Sequence, residues 1–239
     1  DVERSRGLGD VYKRQALYVP RLFKHVHTSV CADQRRALEV SDIGNLLCET
    51  EKASSCGSLP IELQTTKNIF ALMFLLRGIP FVDLAYLRKA DIQGNTLKYR
   101  RRKTGRLLTV MLTPDAIKLI RIVAKTKPES PYLFPFLSSP EGTEAAYHEY
   151  QSSLRMFNYR LSRLKKYMKT AAHLSSYTIR HTWATMAYYC EIHPGIISEA
   201  MGHSSIKVTE TYLKPFQNEK IDNANSQVIS YVKEYASIV

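Results

Sequence analysis

Acidic residues are scarce in this 239-residue chain: 22 Asp and Glu stand against 34 Lys and Arg, a formal net charge of +12. Such an excess is the electrostatic footprint of a protein that meets a polyanion, most simply nucleic acid; charge kept for solubility alone is the plainer reading. A strongly basic amphipathic helix at a terminus, the mark of attachment to anionic membrane, is missing. Cysteine is sparse too. Cys31, Cys48, Cys56 and Cys190 are scattered without metal-like pairing, which argues against a disulfide scaffold or zinc site and for free thiols in a reducing cytoplasm. Long apolar runs are absent: the longest, Ile69 to Leu76, is far too short to span a bilayer. The first residues also lack the central hydrophobic stretch of a secretory signal. What remains is a chain able to bury a sizeable core, with no internal repeat.

Residues 1–15 (DVERSRGLGDVYKRQ) fit neither helix nor strand spacing. They resemble a translated sequencing-adapter fragment and are read as a non-native leader, with the natural protein expected to begin further upstream. Val40 to Leu47 reads as a helix with Ser41 as N-cap. A Ser- and Gly-rich loop, Ser54 to Pro60, precedes a helix from Glu62 to Leu76 that is apolar nearly all round at its end and so central to the core. Pro80 is expected at the first turn of a helix running to Lys89. From Asn95 to Leu112, two extended runs flank Thr104-Gly105 and predict a hairpin. Helix resumes at Pro114 and runs to about Lys125; four prolines then mark Lys127 to Gly142 as loop. Between Glu144 and Lys169, Tyr147, Tyr150, Leu154, Phe157, Leu161 and Leu164 recur in steps of three and four, the stripe of one long amphipathic helix. The tail from Lys220 to Tyr235 repeats that spacing. The expected class is α+β, mainly α-helical, with one small antiparallel β-sheet.

The chemistry gathers between Tyr177 and Phe216. There the chain reads Tyr177-Thr178-Ile179-Arg180-His181-Thr182-Trp183-Ala184-Thr185, then Met201-Gly202-His203, then Thr209-Glu210-Thr211-Tyr212. An arginine fork grips phosphate oxygens, a neutral histidine donates to them, and a phenol supplies a nucleophile. The order and spacing resemble the catalytic domain of tyrosine recombinases, the phage integrase family, over about Arg35 to Val239. The resemblance implies that residues 35–239 are that catalytic domain and residues 16–34 the remnant of a preceding core-binding domain and its linker.

It also implies the roles. Tyr212 would be the nucleophile, Arg180 the phosphate clamp and His203 a donor to the same phosphate, with His181 supporting Arg180 from behind. Lys103, in the hairpin Arg101-Arg102-Lys103-Thr104-Gly105, would be the general acid for the departing 5′ oxygen, with Arg101, Arg102 and Arg106 contacting DNA. Two positions depart from the usual pattern. Tyr177 stands where the family has histidine, and can donate but not act as a base at neutral pH. Pro80 stands where the first arginine is expected, with Arg77 three residues earlier. The run Arg77-Gly78-Ile79-Pro80-Phe81-Val82-Asp83-Leu84-Ala85-Tyr86-Leu87 resembles a subset of mobile-element integrases, in which Arg77 would be a surrogate second clamp. A helix-terminal arginine offsetting a dipole is the other reading of Arg77.

The function expected is site-specific DNA recombination through a 3′-phosphotyrosyl intermediate, with double-stranded DNA as partner. The resemblance further implies a tetramer assembled on DNA through the C-terminal helix, in a bacterial cytoplasm, with no cofactor, metal, membrane or small-molecule substrate. The alternative is a DNA-binding or regulatory relative that keeps the fold without turnover. A histidine-ligated hydrolase is set aside, because His173, His181, His193 and His203 are evenly dispersed and lack paired carboxylates.

Overall fold

The computed structural model describes residues 37–48, 59–124, 126, 128–168, 170–210 and 218–236. The 1–15 leader, the 16–34 segment, most of the Ser54–Pro60 loop and the candidate nucleophile Tyr212 lie outside them. The described elements are α1 (Val40–Cys48), α2 (Ile61–Leu75), α3 (Phe81–Ala85), β1 (Ile92–Gln93), β2 (Thr96–Arg100) and β3 (Leu107–Met111). They continue with α4 (Pro114–Val123), α5 (Glu144–Met168), α6 (Thr178–Tyr189), α7 (Pro194–Met201), α8 (Ile206–Glu210) and α9 (Asn218–Ala236).

Helix α2 is polar in its first half and apolar in its second, and from Thr66 to Met73 the fold surrounds it. Leu63, Phe70, Ala71, Leu72 and Met73 are fully buried, with α4, α5 and α6 packed around them. Removing one such side chain costs on the order of 2–5 kcal/mol in lost transfer energy and residual cavity. The end of α2 sets up the site. Its last turn closes with Gly78 N–H donating to Met73 O at 3.0 Å and Arg77 N–H to Phe74 O at 3.0 Å, the paired bonds of a Schellman motif. The left-handed residue of that motif is usually glycine; here it is Arg77, at φ 60°. An L side chain in that conformation costs about 1 kcal/mol. Gly78 follows at φ 66°, and a Cβ there would lie 3.0 Å from Arg180 Cα, so the turn sits directly against α6.

Strands β1, β2 and β3 form an antiparallel sheet in that order. Leu97 pairs with Val110 and Tyr99 with Leu108 on the inward face, while Lys98 and Thr109 face out. The turn between β2 and β3 spans Arg101 to Arg106, with Gly105 at φ 68°. Thr113 caps α4 by accepting from Ala116 N–H, and Pro114 opens it.

Three expectations need correction. Ser41 is the second residue of α1, not its cap. The helix expected from Phe81 to Lys89 stops at Ala85, with Pro80 at its cap position and a 3-10 turn at Lys89–Asp91. Its second half is captured by a distant loop: Leu133 N–H donates to Leu87 O, and Lys89 N–H to Pro131 O. Tyr147, placed on the buried stripe of α5, is 53% exposed, because α5 runs past the core there; Phe157, Leu161 and Leu164 further along the same stripe are buried as expected. Helix α9 has the expected spacing, yet Ile221, Val228 and Val232 along it are exposed. Among the described residues no helix is long and apolar enough to cross a membrane.

Candidate active site

Arg180 rises from the first turn of α6 and is 2% exposed. Its sequence neighbours Ile179 and Ala184 are buried in apolar packing, so the guanidinium must find acceptors inside the fold. It donates to Gly78 O at 2.9 Å through one terminal nitrogen. Through the other it reaches Met201 O at 2.7 Å and His203 Nε2 at 2.9 Å. The end of α2, the end of α7 and the start of α6 are thus tied at one cation. Arg77, half-buried, lies beside Gly78 in the same turn.

His203 follows the left-handed Gly202 that ends α7 and is 3% exposed. Its Nδ1 is 2.8 Å from Thr209 Oγ1 on α8. Burial, with the charges of Arg180, Arg101 and Lys103 added to it, pushes the imidazole down to about 3, so the ring is neutral across physiological pH. Gly202 is required twice over. It adopts φ 65°, and a Cβ would meet Arg101 Cδ and Leu108 Cδ1 at 3.0 Å.

That close approach brings the hairpin onto the site. Thr104 Oγ1 donates to Gly202 O at 3.1 Å, and Arg106 donates to His203 O at 2.6 Å. On its inner side the turn is held by Asp83. This carboxylate is 2% exposed, pairs with Arg101 at 2.6 Å and accepts Arg102 N–H at 2.9 Å. On its outer side Arg102 stacks 3.8 Å over the Tyr86 ring and pairs with Glu141, which also holds Arg88. The two arginines hold the Glu141 carboxyl below its ordinary range against the opposing effect of burial, with the Arg102 hydrogen bond the larger influence. Lys103, between these anchors, is exposed at the mouth of the cleft.

A cleft of about 320 Å³ opens there, lined by Lys103, Thr104, Arg101, Ser176, Tyr177 and His203 among others. Tyr177 stands at its rim, its ring edge-on to His181 at 4.9 Å. The fold therefore brings Arg180, His203, Lys103 and Tyr177 to one region, with His181 against Tyr177 and Arg77 in the turn that carries Gly78. Arg101, Arg102 and Arg106, expected on DNA, spend part of their hydrogen-bonding capacity inside the protein. Arg101 keeps a buried Nε–H without an acceptor among the described residues. A buried unmet donor costs about 1–3 kcal/mol.

Asp83 and Tyr99 were not singled out by their sequence context. Tyr99 is an ordinary inward-facing strand residue by pattern, yet burial pushes its phenol up, as does Asp83, while Arg180, Arg101 and Arg77 oppose the shift. Its hydroxyl stays protonated among these charges. Among the described residues, no group of three or more His, Cys, Asp or Glu could hold a metal ion.

Solved structures with a similar fold include the XerA recombinase, at TM-score 0.54 and 17% identity over 80% of this chain and 62% of that one. The Tn1549 transposon integrase in complex with transposon right end DNA matches at TM-score 0.54 and 13% identity, over 81% of this chain and 66% of that one. The XerH site-specific recombinase bound to palindromic difH substrate matches at 0.53 and 16%, over 80% of this chain and 52% of that one. The chain thus spans between half and two thirds of the length of these proteins, and at such identities the likeness concerns the fold. Comparison with curated protein sequences gives no significant match. The sequence model of the phage integrase family matches residues 43–219, a span that contains Arg77, Lys103, Arg180, His203 and Tyr212. Three quarters of the length and every element of the site fall within that match, and the chain belongs to the phage integrase family.

Proposed function

We propose that the chain is a site-specific DNA recombinase that cuts and rejoins strands through a 3′-phosphotyrosyl intermediate. A phosphodiester repels nucleophiles and has a poor alkoxide leaving group. Without help from other ions, the protein must supply cations for the non-bridging oxygens, a nucleophile, and a proton for the leaving oxygen. Arg180 clamps the phosphate, assisted by Arg77, and His203 and Tyr177 donate hydrogen bonds to it. Tyr212 attacks phosphorus through its phenolic oxygen, its proton passing to water of the cleft. The bond from phosphorus to the 5′ oxygen breaks, and Lys103 delivers a proton to that oxygen. A 5′ hydroxyl from a partner strand then attacks the phosphotyrosine and returns its proton to Lys103, restoring a diester and releasing Tyr212, which regains its proton from water. The energy of the original bond is kept in the covalent link.

The observation that carries this reading is the buried contact of Arg180 with His203, held beside the cleft that Lys103 overhangs. Elements separated by a hundred residues converge there on a space to which Arg101, Lys103, Thr104, Tyr177 and His203 contribute donors among apolar neighbours. Helix α9, with its apolar stripe exposed, suits transfer to a neighbouring subunit and so a tetramer on DNA. On this reading the chain works on the chromosome in a bacterial cytoplasm.

The test is covalent capture. The chain is incubated with nicked duplexes of randomised sequence, from which the cleaved end diffuses away, and denaturing gels reveal a protein–DNA adduct whose DNA is sequenced. The expected result is an adduct that disappears in Tyr212→Phe while DNA binding persists. Binding without any adduct from the unaltered chain would instead support the regulatory relative, which Pro80 in place of the usual arginine favours.

A further inference from the structure

In the free chain the His203 proton is on the nitrogen that faces away from Arg180. Arg180 points an N–H at Nε2 across 2.9 Å, and a guanidinium has no lone pair to offer, so Nε2 is the acceptor. The proton of the neutral ring is therefore on Nδ1, which donates to Thr209 Oγ1 at 2.8 Å. A phosphate oxygen likewise only accepts. A diester within reach of both Arg180 and His203 can share Arg180 with no difficulty, but it would meet a lone pair on Nε2. His203 can assist only with its proton on the other nitrogen.

Thr209 makes that change available. It is fully buried on α8, and its hydroxyl carries one proton and two lone pairs, so it can accept from Nδ1–H or donate to bare Nδ1 at the same distance. A carboxylate or carbonyl in its place would fix the proton on Nδ1, and a backbone N–H would fix it on Nε2. Only a hydroxyl serves both states.

We propose that Thr209 is a positioning residue for His203, accepting from Nδ1–H while Nε2 faces Arg180 and donating to Nδ1 once a phosphate diester occupies the site, so that Nε2–H points at the phosphate. One proton leaves Nδ1 and one binds Nε2, traded with water of the adjoining cleft, and the charge of the ring is unchanged. The identity of the ligand rests on the recombinase reading; the starting tautomer is a property of the free chain.

The experiment uses the full chain carrying ¹⁵N-labelled histidine, with the His203 signals identified by their loss in His203→Gln. Two-bond proton–nitrogen correlations distinguish the tautomers. The free chain is expected to show the proton on Nδ1, and the Tyr212→Phe chain saturated with the duplex recovered by covalent capture is expected to show it on Nε2. Inorganic phosphate serves as a second probe that needs no DNA sequence. Thr209→Val keeps the shape and removes the hydroxyl; adduct formation should fall roughly 10-fold with DNA binding unchanged, and Thr209→Ser should recover most of it. A proton that stays on Nδ1 with both probes bound, or Thr209→Val forming adduct at the unaltered rate, overturns the proposal. If Thr209→Val does not fold, the tautomer in the unaltered side chain decides. Absence of any adduct from the unaltered chain counts against the recombinase reading, while the phosphate titration still decides the role of Thr209.

Discussion

Arg180 and His203, separated by 23 positions in the chain, meet at 2.9 Å in the interior with the arginine as donor. The contact places a fixed positive charge against a ring that cannot share it, and most of the site's behaviour follows from that pairing.

Arg180→Lys is expected to lower adduct formation by about 100-fold or more, since one ammonium cannot reach Gly78 O, Met201 O and a phosphate together. Single-turnover cleavage of the captured duplex measures it. A fall below tenfold would show that the fork geometry is dispensable.

The depressed His203 pKa has a consequence for stability. The folded ring titrates at about 3, whereas an unfolded histidine titrates near about 6.5. Between those values the unfolded chain binds more protons, so stability is present above the upper one and is lost as pH falls toward the lower. Urea unfolding at pH 7 and pH 5 should show a decrease that is smaller in His203→Gln. Adduct formation between pH 6 and pH 9 should show no limb belonging to this histidine.

Arg77→Gly separates strain from function. The left-handed conformation at Arg77 costs about 1 kcal/mol, and glycine removes that cost. The greater freedom of an unfolded glycine offsets the gain by a similar amount. The thermal midpoint should therefore stay within a few degrees while adduct formation falls at least ~10-fold through loss of the second cation. Unchanged cleavage would return Arg77 to the role of a helix-end charge.

Asp83→Asn leaves Arg101 as a buried cation without its counter-charge. Destabilisation of about 3–5 kcal/mol is expected, read by chemical denaturation. The Lys103 turn should also loosen, detectable as faster amide exchange at Arg102, whose N–H is held by the Asp83 carboxylate.

The long helices and the hairpin could be read from sequence because their signals are local. Phe157, Leu161 and Leu164 repeat at helical intervals on α5, and Leu97 and Tyr99 alternate on β2. The premature end of α3 could not be read, since it depends on Leu87 and Lys89 pairing with Pro131 to Leu133 more than forty positions away. The same holds inside the site. Arg180, His203 and Lys103 sit in motifs whose spacing betrays them. The groups that hold them do not: Gly78 and Met201 contribute only carbonyls, which no side-chain pattern announces, and Asp83 reads as one more acidic residue on a short helix.

Thr104 and Arg106 grip the carbonyls of Gly202 and His203 from a turn whose tip is exposed. That turn and the backbone that carries the imidazole are therefore tied directly to each other. A force applied at the Lys103 tip would be passed to the backbone of His203 through these two bonds, with no side chain of the histidine taking part.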